Sequence, residues 1–152
     1  MQENISGKEI ILAVTGQLSL FLQNEAGSLN KACQVLAQNN INIITLSLAD
    51  TREYGILRLL VKDQAKAQDL LTQAGFVVKN TPVLVIPVSD QPGGLAAILA
   101  ALDKQNINVL YMYAFPSGKD GKALMVFRFE DPEKALDVLE SAGFFTLEAG
   151  EF

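Results

Sequence analysis

Two short turns carry the residues best suited to hold a small ligand. Asn24-Glu25-Ala26-Gly27-Ser28-Leu29 is echoed 66 residues later by Asp90-Gln91-Pro92-Gly93-Gly94-Leu95. In the second turn Pro and Gly make a rigid bend, and the glycines leave backbone N–H groups accessible. A run with helical spacing follows each turn, so a helix N-terminus lies directly behind it. Unpaired N–H donors and the helix dipole at such an end favour a carboxylate. Asp90 can accept from an ammonium group. A zwitterion carries both groups close together. Asn42 and Asn108, also 66 residues apart, each precede a strand and offer amide donors and acceptors to the same ligand. Each residue also has a purely structural reading: Gly27 and Gly93 for a tight turn, Asp90 as a helix cap, the two Asn as local turn caps.

Other chemistry has little to draw on. There is no His, which removes the commonest metal ligand and general base. The single Cys, Cys33, excludes an internal disulfide and a Cys-rich metal cage. It falls where the repeat has Leu99, so core packing is expected of it. No metal and no cofactor are expected. The net charge of −5 and a pI of about 4.7 argue against binding a phosphate backbone or an anionic membrane. No apolar run is long enough to span a bilayer, and the N-terminus lacks the basic and apolar regions of a leader. A soluble cytoplasmic protein is the expectation.

The elements that position the turns are themselves repeated. Asn40-Ile41-Asn42-Ile43 returns as Asn106-Ile107-Asn108-Val109, and Ala74-Gly75-Phe76 returns as Ala142-Gly143-Phe144. In the first copy, strands are expected over 17–22, 43–48 and 56–61, with a fourth starting at 76–78. In the second they are expected over 83–88, 109–115, 124–129 and 144–147. Helices with apolar faces at three-and-four spacing follow the first and third strand of each copy. Asn24 or Ser28 is the expected cap of the first helix, Asp63 and Asp131 of the helices after the third strands, the latter with Pro132 at the first helical position. Gly75 and Gly143 fall where helix C-caps belong. Each copy is therefore β-α-β-β-α-β, the ferredoxin-like order.

The expected fold class is α+β: two ferredoxin-like modules in tandem, with antiparallel sheets and helices on one face. The expected division is an extension over 1–16, one module over 17–81 and a second over 82–152. Ile10–Val14 is read as an edge strand or a loose arm. Ile44, Leu46 and Leu48, matched by Leu110, Met112 and Ala114, are expected under the helices. So are Leu57, Leu59 and Val61, matched by Met125, Phe127 and Phe129. Thr45, Ser47, Arg58, Tyr111, Tyr113 and Arg128 fall on the other face, which is expected to be wet or an interface.

These turns and strand starts resemble a tandem ACT domain protein. That family's turn runs Asp or Asn, any residue, Pro-Gly, any residue, Leu, and its second strand opens with an Asn-Ile-Asn-Ile type sequence. Asn24, Gly27, Leu29, Asn40, Ile41 and Asn42 match in the first copy. Asp90, Pro92, Gly93, Leu95, Asn106, Ile107 and Asn108 match in the second. The first copy departs at Ala26, where Pro is expected, and its turn is the less rigid. The resemblance covers residues 17–150.

It implies a regulatory module that binds a free amino acid or similar metabolite at interfaces between modules or subunits. The turns, Asn24 and Ala26 to Leu29 with Asp90 and Pro92 to Leu95, would hold the amino-acid backbone. Asn42 and Asn108 would reach in from a neighbouring module. A homodimer and a separate regulated enzyme are the implied partners, and no catalysis is expected of the chain itself. A structural dimerisation module of the same fold is the alternative. An RNA-recognition module has the same element order but needs basic and aromatic central strands, where this chain has Leu57, Leu59 and Leu60. An acylphosphatase-like enzyme would need an Arg in the turn, and neither turn has one.

Overall fold

Among the described residues the apolar spacing is realised as four helices laid on antiparallel strands. The structure, a computed structural model, describes residues 13–50 and 53–152. The chain divides into two compact units, Gly16–Thr81 and Pro82–Phe152, with residues 13–15 belonging to the latter. The expectation for Ile10–Val14 lies mostly outside the described residues.

The first unit contains β1 (Thr15–Gln23), α1 (Ser28–Gln38), β2 (Ile43–Asp50), β3 (Tyr54–Val61), α2 (Gln64–Gln73) and the start of β4 (Val77–Ser89). Its strands lie in the order β2-β3-β1-β4. β3 pairs antiparallel with both β1 and β2. Leu18, Leu20, Leu57 and Leu59 from the strands pack on Ala32, Leu36, Ala67 and Leu71 from the helices.

The second unit contains the rest of β4, α3 (Gly94–Lys104), β5 (Val109–Ala114), β6 (Lys122–Phe129) and α4 (Pro132–Ser141). β6 pairs antiparallel with both β4 and β5. Leu84, Ile86, Phe127 and Phe129 pack on Ile98, Leu102, Ala135, Leu136 and Leu139, and Ala13 joins this core. The closing strand expected at 144–147 is reduced to one bridge, Leu147 N–H to Val85 O at 2.8 Å.

Helices α1 to α4, whose ranges are Ser28–Gln38, Gln64–Gln73, Gly94–Lys104 and Pro132–Ser141, end alike. The residue after each C-cap has positive φ: Asn40, Gly75, Asn106 and Gly143. The next N–H reaches back to a carbonyl five residues earlier: Ile41 to Leu36, Phe76 to Leu71, Ile107 to Leu102, Phe144 to Leu139. This is the Schellman motif, with its apolar residue folded onto the core. It accounts for Asn40, Asn106, Gly75 and Gly143 in the repeat without a ligand.

Four expectations are corrected. Ile44 and Leu110 do not sit under the helices. Register shifts between Ile43 and Thr45, and between Val109 and Tyr111, mark bulges that turn the alternation by one residue. Ile43 and Val109 pack on the cores instead. Leu46 and Leu48 do share a face with Leu59 and Leu57, but on an edge strand that leaves them 46% and 53% exposed. On the opposite face, expected to be wet or an interface, Thr45, Leu60, Val85 and Val126 are buried. The strands expected from 76–78 and over 83–88 are one strand, β4, which runs through Pro82. There the Pro82 carbonyl accepts from Arg128 Nη1 at 3.2 Å. Cys33 is half-buried on α1, outside the core.

Candidate functional site

The repeated turns have one backbone design. In the second, Gly94 N–H donates to Gln91 O at 3.0 Å, and Gly93 has φ 86° and ψ −4°. With Pro92 before it, this is a type II turn, which requires positive φ at its third residue. In the first, Ser28 N–H reaches Glu25 O at 3.4 Å, and Gly27 has φ 93° and ψ −18°. The turn also ties to its sheet through Asn24 N–H to Glu53 O at 3.2 Å.

The glycines, and not the polar side chains, cap the helices. Gly27 and Gly93 are the N-caps of α1 and α3, and neither helix has a side-chain cap bond. The expectation that Asn24 or Ser28 caps α1 is therefore wrong, and so is the reading of Asp90 as a cap. A residue with positive φ occupies the cap, Ser28 is already helical, and Asn24 and Asp90 stand three residues further out. The other two helices follow the usual pattern. Asp63 accepts from Lys66 N–H and Asp131 from Lys134 N–H, each at 3.1 Å. So α1 and α3 present open N-termini just where the turns lie, while α2 and α4 are closed by a carboxylate of their own. An open terminus of this kind accepts a carboxylate.

The expected site residues fall into two groups at each module. Asn24, Ala26 and Gly27 are exposed, with Ser28 half-buried and Leu29 exposed, at one end of α1. Asp90, Pro92 and Gly93 are exposed, with Gly94 and Leu95 half-buried, at one end of α3. Asn42 and Asn108 are exposed just beyond the other ends of those helices. Each helix has 11 residues, about 16 Å at 1.5 Å per residue. No amino acid can touch a turn and the Asn of the same module.

Beside Asn108 lies a groove of about 440 Å³ lined by Leu99, Ala100, Leu102, Asp103, Ile107, Asn108 and Val109. Of these only Asn108 is expected from the sequence. The signal for Asp103 was present: the first copy has Ala37 at the matching place. A second groove, about 390 Å³, lies between α3 and α4 against Lys104, Asp137 and Ser141. Among the described residues no cluster of His, Cys, Asp or Glu is arranged to hold a metal, and no helix is long and apolar enough to cross a membrane.

Comparison with known proteins supplies the family. A family model described as an ACT domain pair matches residues 13–146. The crystal structure of protein BT0572 from Bacteroides thetaiotaomicron is similar at 35% identity and a TM-score of 0.85, over 91% of this chain and 95% of that one. The ligand-free regulatory subunit of aspartate kinase from Thermus thermophilus shares the fold at 16% identity and a TM-score of 0.58, over 85% of this chain and 96% of that one. The regulatory subunit from Thermus flavus does so at 17% and 0.55, over 86% and 97%. No curated protein matches.

Proposed function

Because the chain belongs to the ACT domain pair family, we propose that it is a non-catalytic cytoplasmic regulatory protein that binds a free amino acid or similar small metabolite. The observation that carries this reading is the contrast among the four helix N-termini. Two are closed by Asp63 and Asp131, and the two behind the repeated turns are open. An open N-terminus holds the ligand carboxylate. Asp90, or Asn24 in the first copy, takes the ammonium group.

Because about 16 Å separates a turn from its own Asn, the remaining contact must come from another module or subunit, and this reading takes it from a second copy of the chain. β5 is an edge strand, and antiparallel pairing of that edge with its symmetry mate brings opposite strand ends together. The turn at Asp90 of one copy then meets Asn108 of the other. The protein works as a homodimer on this reading, and ligand binding is coupled to how the copies pair. A separate enzyme is the target of the regulation.

A thermal-shift screen against the twenty amino acids tests the proposal. A ligand bound only by the folded state adds about 2.7 kcal/mol at a hundredfold excess over its dissociation constant, which is several degrees for a chain of this size. The expected result is a selective shift that Asp90→Ala and Asn108→Ala each remove. No shift with any amino acid at millimolar concentration sinks the proposal and leaves a structural dimerisation module.

A further inference from the structure

We propose that the groove beside Asn108 selects a ligand whose side chain ends in a positive charge, with Asp103 as the selecting residue. The inference rests on the amino-acid reading above and goes beyond it to the class of amino acid. If Asn108 touches the bound molecule, the groove next to it is where the ligand side chain goes. Its walls are apolar through Leu99, Leu102, Ile107 and Val109, which suits an alkyl stem. Its charge comes from Asp103 alone.

Asp103 is exposed beside the groove. Its carboxylate has no hydrogen bond or ion pair among the described residues. It stands in the last turn of α3, where the helix dipole is negative and a carboxylate is disfavoured. Its neighbour Lys104 lines the other groove, together with Asp137. The carboxylate and the helix end together attract a cation, with an apolar wall at hand for the stem that carries it.

The first module shows what the position looks like without that feature. Ala37 replaces Asp103, Gln34 replaces Ala100 and Cys33 replaces Leu99, while Leu36, Ile41 and Asn42 keep the frame. The frame is shared and the charge is not. Selection for a cationic side chain therefore belongs to the second module.

The test is calorimetric titration of wild type and Asp103→Asn with L-lysine, L-arginine and L-norleucine, the last having the lysine stem without its amine. Wild type is expected to bind a cationic amino acid at least about tenfold more tightly than norleucine, the low end for a hydrogen bond to a charged group. Asp103→Asn is expected to lose that preference, keep its norleucine affinity and melt no lower than wild type. Norleucine bound as tightly as lysine by wild type, or a lysine preference surviving in Asp103→Asn, overturns the assignment. A neutral or acidic amino acid bound by wild type more tightly than lysine and arginine also overturns it, but leaves the amino-acid reading standing. No binding of any of the twenty amino acids overturns both.

Discussion

The two turns reach one backbone shape from unlike residues. Glu25-Ala26-Gly27-Ser28 and Gln91-Pro92-Gly93-Gly94 are both type II, with glycine φ of 93° and 86°. Both open a helix that has no side-chain cap. They differ in rigidity and in fit. Pro92 presets its turn where Ala26 does not. Gly94 lies so close to its strand that an added Cβ would clash with the Ser89 carbonyl oxygen, whereas Ser28 carries a Cβ at the matching place. The fold demands the glycine at positive φ in both copies. Only the second copy adds Pro and a second Gly, which hold the loop and its N–H groups in place before any ligand arrives. A preordered loop loses less entropy on binding, so the proposed function expects tighter binding at the second turn.

The largest effect expected from this difference is at the closest approach. Gly94→Ala should cost about 2–3 kcal/mol, because backbone and not a flexible side chain must move. Ser28→Ala, at the matching position, should change stability by less than about 0.5 kcal/mol. Urea unfolding of the two variants measures both; equal losses would remove the claim that the second turn is packed more tightly.

Next come the shared glycines. Gly27→Ala and Gly93→Ala have open space for a Cβ but strained φ, and each should cost about 1–2 kcal/mol. Similar values would show that the left-handed turn is a demand of the fold. A large effect at Gly93 alone would break the likeness between the copies.

The paired Asn should separate in the same experiment. Asn106→Ala should cost about 0.5–1 kcal/mol, through its φ of 55° in the Schellman motif. Asn108→Ala is exposed and outside the motif, and should change stability by less than about 0.5 kcal/mol while removing the ligand response. A stability loss at Asn108 as large as that at Asn106 would return it to a structural role.

The smallest effects should be opposite in sign. Pro92→Ala should lose about 0.4–1 kcal/mol, and Ala26→Pro should gain about as much, since each changes the freedom of the unfolded chain at the second residue of a type II turn. Destabilisation by Ala26→Pro would mean that the first turn differs from the second in more than rigidity.

The ferredoxin-like order, both Asp caps and the faces of Leu57, Leu59, Phe127 and Phe129 were legible in the sequence. All are set by local spacing or by a residue and its near neighbours. What was not legible depends on partners distant in the chain. The bulges at Ile44 and Leu110 exist only relative to β3 and β6. The exposure of Leu46 and Leu48 follows from the place of β2 at an edge. β4 joins the strands expected from 76–78 and over 83–88 into one. At the site, the turns and the Asn were legible as a set, but half of the repeated motif turned out to be helix-ending machinery. That Gly27 and Gly93 leave two helix ends open could be seen only once their φ angles were known. Asp103 was masked by the repeat itself, which draws attention to what the copies share.

The most direct measurement is subunit complementation. Asp90→Ala and Asn108→Ala are each titrated alone with the amino acid that shifts wild type, then mixed in equal amounts, allowed to exchange subunits and titrated again. A site built from the turn of one copy and the Asn of another should be lost in each variant and regained in the mixture. One intact site per mixed dimer restores about a quarter of the wild-type capacity at random pairing. A mixture that binds no better than its components, although subunits exchange, would contradict a site shared between copies.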